Sequence, residues 1–271
     1  MRGPGPHGEW RATSNSVLGL EGKVAVITGA SQGVDLGCAR QFVQVGADVV
    51  ITGRRAEPLE KAATELRRSG REVVTVVGDA EDLNDVAKLV EATKQRFGRA
   101  DVLVNNVGGR RGKPEGTLLE SGPEYWRGTI ERNLVSVLTC TQAFARFMIE
   151  TKRPGVVINV ASVSAYRASP RLVPYGASKA GLIQATGTLA REFAPYGIRV
   201  CGVAPGMVDT ASLREWLDEE TMAERGRRLP AGRIGKPDDI GRVVVMLASD
   251  LGAWIYGATL VADGGDLLGG S

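Results

Sequence analysis

Short apolar runs rich in valine and isoleucine alternate with longer, more polar stretches along most of the chain. The runs lie at residues 23–28, 47–53, 72–79, 100–106, 156–162, 198–205 and 258–262. Strands of a parallel sheet are buried on both faces, so they read as continuous apolar runs joined by crossover helices. This alternation predicts an α/β fold with about seven parallel strands and helices on both faces.

The intervening stretches predict the covering helices. One helix begins after Gly29 and ends at Gly46, and another runs from near Tyr175 to about Tyr196. The other helices lie at 58–70, 82–98, 124–151 and 237–248. Right-handed crossovers and a chain reversal at the first strand would give a single doubly wound domain of Rossmann type. In such a sheet the ligand crevice lies at the carboxyl ends of the strands.

Charge and hydropathy exclude several classes of function. The net charge of +3 comes from 34 basic and 31 acidic residues that are interspersed, so no nucleic-acid partner is expected. No apolar stretch approaches the ~18 residues of a membrane span, and the N-terminus lacks the apolar segment of a secretion signal. We therefore expect a cytoplasmic protein with no membrane partner.

The Gly/Pro-rich residues 1–18 predict a flexible tail ahead of a domain at 19–271. The single histidine, His7, lies in this tail, which argues against Ser-His-Asp hydrolysis and against a zinc site. No metal site is expected elsewhere, because the three widely spaced cysteines are typical of buried thiols: Cys38, Cys140 and Cys201.

A glycine-rich turn, TGASQGVD (28–35), joins the first strand to the first helix. Backbone N–H groups of such a turn, together with the helix N-terminus, can approach a pyrophosphate. A few glycines in a turn are weak evidence alone, but their place in a βαβ unit favours dinucleotide binding.

Further motifs follow in a fixed order: NNVG (105–108), Asn133 in the long helix, Ser162 with YGASK (175–179), and PGMVDT (205–210). Together with the glycine-rich turn they resemble the single-domain branch of the short-chain dehydrogenase/reductase superfamily, including its 3-oxoacyl-[acyl-carrier-protein] reductase-like members. The resemblance covers roughly residues 19–265. It implies an oxidoreductase for a small carbonyl or alcohol substrate and a homo-oligomer, either a dimer or a tetramer.

One residue departs from the family pattern TGxxxGxG, because Asp35 stands at the position of the third glycine. A side chain there would crowd the turn, and a carboxylate near pyrophosphate would repel it, which predicts weakened cofactor binding. Alternatively, the helix N-terminus stabilises Asp35 with its charge directed away from the ligand. The sequence leaves both interpretations open.

The end of the second strand indicates which nicotinamide cofactor is preferred. An acidic residue there would bind the ribose hydroxyls of NAD(H), whereas an arginine suits the 2′-phosphate of NADP(H). The sequence has Arg54 and Arg55 and no acid, so we expect NADP(H) with Arg54 as the principal contact. The alternative is that both arginines are merely solvated.

The resemblance also implies a set of cofactor contacts spread over the chain. For Asn106 and Gly108 the alternative is a purely structural role. Thr210 is equally suited to cap the helix that follows it. The full set is Gly29, Ser31, Gly33, Val34, Arg54, Arg55, Asp79, Ala80, Asn106, Gly108, Tyr175, Lys179, Pro205, Gly206, Val208 and Thr210.

Tyr175 and Lys179 are the predicted catalytic pair. They lie four residues apart in a helix, so their side chains share one face. A positive charge beside a phenol favours its ionised form, which suits proton transfer to or from a substrate oxygen. The resemblance adds Ser162 as a hydrogen-bond partner of that oxygen. It also adds Asn133 as the holder of a water in a proton relay from Lys179.

Two segments surround the expected substrate site. By resemblance the charged segment 209–230 forms a lid, with an apolar face at Leu213, Trp216, Leu217 and Met222. Packing of that face on its own domain is the alternative. Arg110 and Arg111, in a long loop, would suit an acidic substrate but are also consistent with solvated side chains.

The hypothesis is thus an NADP(H)-dependent ketone reductase. Two alternatives stay open: an NAD-linked alcohol dehydrogenase, and a cofactor-impaired binding or scaffold protein because of Asp35.

Overall fold

The computed structural model describes residues 18–109 and 117–269, and within them seven strands form one parallel sheet. The strand order is β3-β2-β1-β4-β5-β6-β7, which is the predicted doubly wound arrangement. The strands are β1 (Val24–Ile27), β2 (Asp48–Gly53), β3 (Val73–Val77), β4 (Val102–Asn105), β5 (Gly155–Val160), β6 (Ile198–Pro205) and β7 (Thr259–Ala262). Most of the predicted tail and both Arg110 and Arg111 lie outside the described residues.

Helices connect the strands as predicted. They are α1 (Gly33–Gln44), α2 (Ala56–Arg67), α3 (Leu83–Phe97), α4 (Pro123–Ile130), α5 (Ser136–Glu150), α6 (Val173–Phe193), α7 (Ala211–Arg214), α8 (Glu219–Arg228) and α9 (Pro237–Ala248). Within this described part of the chain, no helix is both long enough and apolar enough to span a membrane. Cys38, Cys140 and Cys201 are buried and free, as expected.

The prediction of one continuous helix at 124–151 is wrong, because a π-helical segment, Glu131–Val135, separates α4 from α5. The Asn133 amide donates a 2.8 Å hydrogen bond to the carbonyl of Thr129, one turn earlier. That carbonyl would otherwise accept the backbone N–H of residue 133 in a regular α-helix. A side chain that competes for the helical acceptor favours such a local widening.

Alternate residues of the strands pack into two separate cores. In β1, Ala25 and Ile27 belong to the core beneath α1, α2 and α9. Val24 and Val26 face the opposite core, which includes Phe144 of α5. Successive strand side chains point to opposite faces, so a helical layer on each side leaves the central strands fully buried.

A close backbone contact joins α1 to α9. A Cβ added at Gly37 would lie 2.5 Å from the backbone carbon of Pro237, and one at Gly241 would lie 2.6 Å from the carbonyl oxygen of Gly37. Only glycine fits at either position without movement of the backbone. This contact holds α1, and therefore the glycine-rich turn at its start, in a fixed position relative to the sheet.

The order of strands reverses at β1, which pairs with β2 on one side and with β4 on the other. The connections to these neighbours leave in opposite directions, so a crevice opens at the carboxyl ends of the two inner strands. The loops after β1, β4, β5 and β6 meet there.

Candidate active site

A cleft of about 740 Å³ lies at the carboxyl ends of the strands. Its walls contain every predicted cofactor-binding residue and three of the four predicted catalytic residues. Asn133 is the exception: it is completely buried and lies behind the wall. The cleft is lined by, among others, Gly29, Ser31, Gly33, Val34, Arg54, Arg55, Asp79, Ala80, Asn106, Gly108, Ser162, Tyr175, Lys179, Pro205, Gly206, Val208 and Thr210.

The glycine-rich turn forms one end of the cleft. Gly29 and Gly33 have φ angles of +78° and +66°, a region that side-chain-bearing residues rarely adopt. Gln32 precedes α1 without forming a side-chain cap, so backbone N–H groups of the first helical turn are not satisfied by it. A Cβ at Gly33 would lie 3.6 Å from Cγ2 of Thr210, which places the loop after β6 directly over the turn.

Thr210 occupies this loop and also caps a helix. Its Oγ1 accepts a 3.2 Å hydrogen bond from the N–H of Leu213 at the start of α7. The two interpretations of Thr210 are therefore compatible, because a capping residue here also lies against Gly33 in the wall of the cleft.

Arg54 follows directly after β2 and is largely exposed, with 62% of its side chain accessible. Its guanidinium lies 3.9 Å from Oδ2 of Asp79, which follows β3. Arg55 is also exposed and precedes α2. An exposed pair at this distance contributes little stability, so Arg54 is available to a second anion.

Lys179 is buried beneath the cleft, with 3% of the residue exposed. Its Nζ donates a 2.7 Å hydrogen bond to the carbonyl of Val160, at the end of β5. The same nitrogen lies 5.9 Å from the centre of the Tyr175 ring. Burial lowers the pKa of Lys179 to about 8, and the nearby charge of Asp35 opposes that shift.

Ser162 does not end its strand as predicted, because β5 stops at Val160. The serine lies two residues beyond, in extended backbone at the start of a short 3₁₀ turn. Its Oγ accepts a 3.1 Å hydrogen bond from the N–H of Ser164. A hydroxyl that accepts in this way retains its own proton for donation to another oxygen.

The side chain of Asn133 is fully engaged by backbone groups. Its Oδ1 accepts a 2.9 Å hydrogen bond from the N–H of Gly109, and its Nδ2 donates to the carbonyls of Gly109 and Thr129. A Cβ at Gly108 would lie 2.9 Å from this Oδ1 and 3.1 Å from Nζ of Lys179. Asn133 therefore positions the loop that passes beside the lysine.

Asp35, the residue that departs from the family pattern, is turned inward. It lies in the first turn of α1 with only 9% of its surface exposed. Its Oδ2 would be 3.2 Å from a Cβ on Gly29, so the carboxyl lies against the glycine-rich turn. Burial raises its pKa to about 7, while Asn106 and the charge of Lys179 act in the opposite direction.

The sequence did not predict an ion pair between Glu81 and Arg132 in the cleft. Glu81 accepts a 2.8 Å hydrogen bond from Nε of Arg132, and both side chains are less than 15% exposed. Both residues line the cleft. Glu81 follows Asp79 and Ala80 at the end of a strand, which is a usable signal, but nothing in the sequence pairs it with an arginine of a distant helix.

The segment 209–230 divides between the cleft and the interior. Leu213, Trp216 and Leu217 line the cleft, whereas Met222 packs inward with 7% of its surface exposed. Asp218 caps α8 by accepting the N–H of Thr221 at 2.7 Å. The predicted apolar face thus serves both interpretations, one part of it facing the cleft and another the protein.

Most of this chain is similar in sequence to known proteins. The family model for Enoyl-(Acyl carrier protein) reductase matches residues 29–266. A 3-oxoacyl-[acyl-carrier-protein] reductase of Thermotoga maritima is 37% identical over 246 residues, which cover 91% of this chain and 98% of that protein. An L-rhamnose 1-dehydrogenase (NAD(P)(+)) of Azotobacter vinelandii is 37% identical over 249 residues, covering 90% and 96% respectively.

The fold has a close counterpart among solved structures. A putative short-chain alcohol dehydrogenase from Sinorhizobium meliloti 1021 superposes with a TM-score of 0.86 at 35% sequence identity. The superposition covers 93% of this chain and 99% of the other.

Proposed function

Since this chain belongs to the short-chain dehydrogenase/reductase family, we propose that it is an NADP(H)-dependent oxidoreductase acting between a ketone and a secondary alcohol. We propose the reductive direction, as in a ketoreductase. One observation carries the proposal: Ser162, Tyr175 and Lys179 line the same cleft as the glycine-rich turn. Proton chemistry and dinucleotide binding therefore share one site.

The cleft fits a dinucleotide on structural grounds. Gly29 and Gly33 leave room for close approach to the first turn of α1, whose N-terminus favours negative charge. Asp79 and Ala80 line the cleft with Arg54, and Pro205 and Thr210 line it from the loop after β6. A nicotinamide dinucleotide bound along these residues supplies or accepts a hydride.

The three catalytic side chains then divide the work on the substrate oxygen. Tyr175 donates its phenolic proton to the carbonyl oxygen during reduction and takes the proton back during oxidation. Ser162 donates a hydrogen bond to the same oxygen and stabilises the negative charge that develops there. Lys179, held by the carbonyl of Val160, keeps a positive charge next to the phenol. Asn133 holds the loop beside Lys179 and, as a further proposal, a relay water.

Arg54 supports NADP(H) as the cofactor. It is exposed at the end of β2, and its guanidinium matches the geometry of a phosphate through charge-assisted hydrogen bonds. The carboxylate of Asp79 lies 3.9 Å from the guanidinium, and because this pair is exposed and weak, a phosphate could still bind Arg54. The relative named L-rhamnose 1-dehydrogenase (NAD(P)(+)) carries both cofactors in its name, which supports an NAD-linked alcohol dehydrogenase as the second candidate.

The names of the relatives and the apolar side chains of the cleft support a proposal for the substrate class. A 3-oxoacyl-[acyl-carrier-protein] and L-rhamnose appear in the names of two relatives that are each 37% identical to this chain. The apolar side chains of Leu213, Trp216 and Leu217 favour a substrate with a hydrophobic part. A cytoplasmic location and assembly into a dimer or tetramer remain predictions.

A substrate panel tests the proposed function. NADPH and NADH oxidation would be followed with a 3-oxoacyl thioester, a simple ketone and a keto-sugar, and in reverse with the matching alcohols. We expect turnover with NADPH and at least one carbonyl compound. Turnover with NAD⁺ and an alcohol alone would favour the second candidate. If neither the wild type nor the Asp35→Gly variant binds NADPH or NADH, both candidate functions are overturned.

A further inference from the structure

Asp35 places a carboxyl group between the glycine-rich turn and the catalytic lysine. Its Oδ2 lies against Gly29, and its Oδ1 is buried without a hydrogen-bond partner in the described part of the chain. Asp35 also lines the cleft. An unpartnered, buried carboxylate oxygen is costly, whereas a protonated carboxyl in the same place is tolerated.

Few charged groups oppose a negative charge at this point. Lys179 on α6 is the cation that acts on Asp35, and Asn106, after β4, contributes an uncharged amide. On α1 itself, burial together with the charges of Asp35 and Asp238 keeps the pKa of the Cys38 thiol well above its usual range, so the thiol is neutral. Asp238, on α9, adds a second negative charge to this region and lies 3.9 Å from the guanidinium of Arg40 on α1. The cleft wall contains further titratable side chains, which are Arg54, Arg55, Asp79, Glu81, Arg132, Arg167, Tyr175 and Arg225.

Dinucleotide binding would change this balance. The pyrophosphate of either nicotinamide cofactor is a polyanion, and the proposed phosphate site is the turn against which Asp35 lies. A negative ligand next to a carboxyl favours the protonated form of that carboxyl. Because the carboxyl of Asp35 lies against Gly29 and lines the cleft, an ionised Asp35 would stand next to the bound pyrophosphate.

We infer that Asp35 is protonated in the dinucleotide complex, so that binding of the cofactor takes up one proton from solvent at this carboxyl. The inference rests on the proposed dinucleotide site and concerns a position where the family pattern has glycine. The proton leaves a hydronium ion or a buffer acid in solution and bonds to a carboxylate oxygen of Asp35, and no covalent bond of the dinucleotide changes. Asp35 is thus a positioning and affinity residue that couples cofactor binding to pH.

Calorimetry separates proton uptake from binding itself. NADPH and NADH would be titrated at constant ionic strength from about pH 6 to about pH 9, in two buffers of different ionisation enthalpy at each pH. The chains compared are wild type, Asp35→Asn and Asp35→Gly. Asp238→Asn serves as the matched control, since it removes a nearby carboxylate that does not line the cleft.

For the wild type we expect the Kd to rise about 10-fold per pH unit above about pH 7, with uptake approaching one proton. Asp35→Asn and Asp35→Gly should lose most of this dependence, and Asp238→Asn should retain it. Lys179 and the ligand phosphate also titrate. The decisive quantity is therefore the difference in proton uptake between wild type and Asp35→Asn.

Three outcomes would contradict the inference or its premise. Equal proton uptake in wild type and Asp35→Asn would remove Asp35 from the coupling. Binding by Asp35→Asn but not by wild type at about pH 6 would mean that the carboxyl keeps its charge at this pH and that dinucleotide binding does not protonate it. If wild type, Asp35→Asn and Asp35→Gly all fail to bind either cofactor at every pH, the proposed function itself fails.

Discussion

The ammonium of Lys179 lies 5.9 Å from the centre of the Tyr175 ring and donates a 2.7 Å hydrogen bond to the carbonyl of Val160. A hydrogen bond to the end of β5 therefore fixes the side chain of Lys179, and Tyr175 lies one turn earlier in the same helix, α6. This arrangement keeps a cation beside the phenol, and no carboxylate of residues 18–109 or 117–269 is bonded directly to the lysine nitrogen. We therefore predict that the protonation state of Lys179 governs the chemistry of Tyr175.

Replacing Tyr175 by phenylalanine should abolish turnover while preserving cofactor binding. The variant removes only the hydroxyl that exchanges a proton with substrate, so we expect kcat to fall about 100- to 10,000-fold. The Kd for NADPH, measured by fluorescence titration, should change by less than about threefold. Residual turnover within tenfold of wild type would exclude Tyr175 as the acid.

The rate of carbonyl reduction should fall at alkaline pH. Burial lowers the pKa of Lys179 to about 8, so the ammonium loses its proton, and its charge, as the pH rises through that value. With NADPH kept saturating at every pH, we expect kcat/KM for the carbonyl substrate to be level below about pH 8 and to fall up to about 10-fold per unit above it. Lys179→Met should be slow at every pH and lack this limb. A wild-type profile that stays level to about pH 10 would contradict the assignment.

Arg54→Ala should weaken NADPH binding selectively. Loss of a charge-assisted contact to the 2′-phosphate should raise the KM for NADPH about 10- to 100-fold and leave the KM for NADH within about twofold. Arg68→Ala is the matched control, because Arg68 is an exposed arginine at the other end of α2 and does not line the cleft. An equal rise for both cofactors would argue against the 2′-phosphate assignment.

Gly37→Ala should destabilise the protein through the contact between α1 and α9. The added Cβ would lie 2.5 Å from the backbone of Pro237, which cannot move away without displacing a helix. We expect the free energy of unfolding to fall by about 1–3 kcal/mol in urea denaturation. Gly122→Ala, at a site where an added Cβ meets nothing within 4 Å, should change it by less than about 0.5 kcal/mol. Equal effects of the two substitutions on the free energy of unfolding would show that the close contact between α1 and α9 is not the cause of the destabilisation.

The stability of the wild type relative to Asp35→Asn should depend on pH even without cofactor. Burial raises the pKa of Asp35 from 3.8 to about 7, so between these values the folded protein keeps a proton that the unfolded chain has lost. Wild-type stability should therefore fall across this window, by about 4 kcal/mol at ~1.4 kcal/mol per pKa unit, and then level off.

The asparagine variant has no such proton to lose. Urea denaturation at about pH 4 and about pH 8 would measure the change in the difference between the two proteins. A difference that is the same at both pH values would show that the carboxyl is not held in its neutral form.

Much of the architecture was predictable because it depends on local patterns. Strand β6 (Ile198–Pro205) and helix α9 (Pro237–Ala248) lie where their apolar runs and periodicity place them. Parallel strands buried on both faces have few alternatives to a continuous apolar run, and the crossover rule then restricts the topology. The family resemblance and the fold class are confirmed, whereas the roles of the individual site residues stay predictions.

Some errors arose where a side chain competes with backbone hydrogen bonding. Asn133 takes the carbonyl of Thr129 and opens a π-helical segment in what the sequence predicts as one helix. Ser162 lies beyond the end of its strand because its hydroxyl accepts the N–H of Ser164 and starts a turn. Helical periodicity and apolar composition contain no information about such contacts.

The sequence by itself determined the order of the motifs, the helical spacing that puts Tyr175 and Lys179 on one face, and the carboxylate at position 35 in place of glycine. Only the tertiary structure decided where that carboxylate points: inward, against Gly29 and within the field of Lys179. The physical reason is that a charge acquires its environment from elements distant in sequence. Residues 35 and 179 meet only because α1 and α6 both approach the carboxyl ends of one parallel sheet.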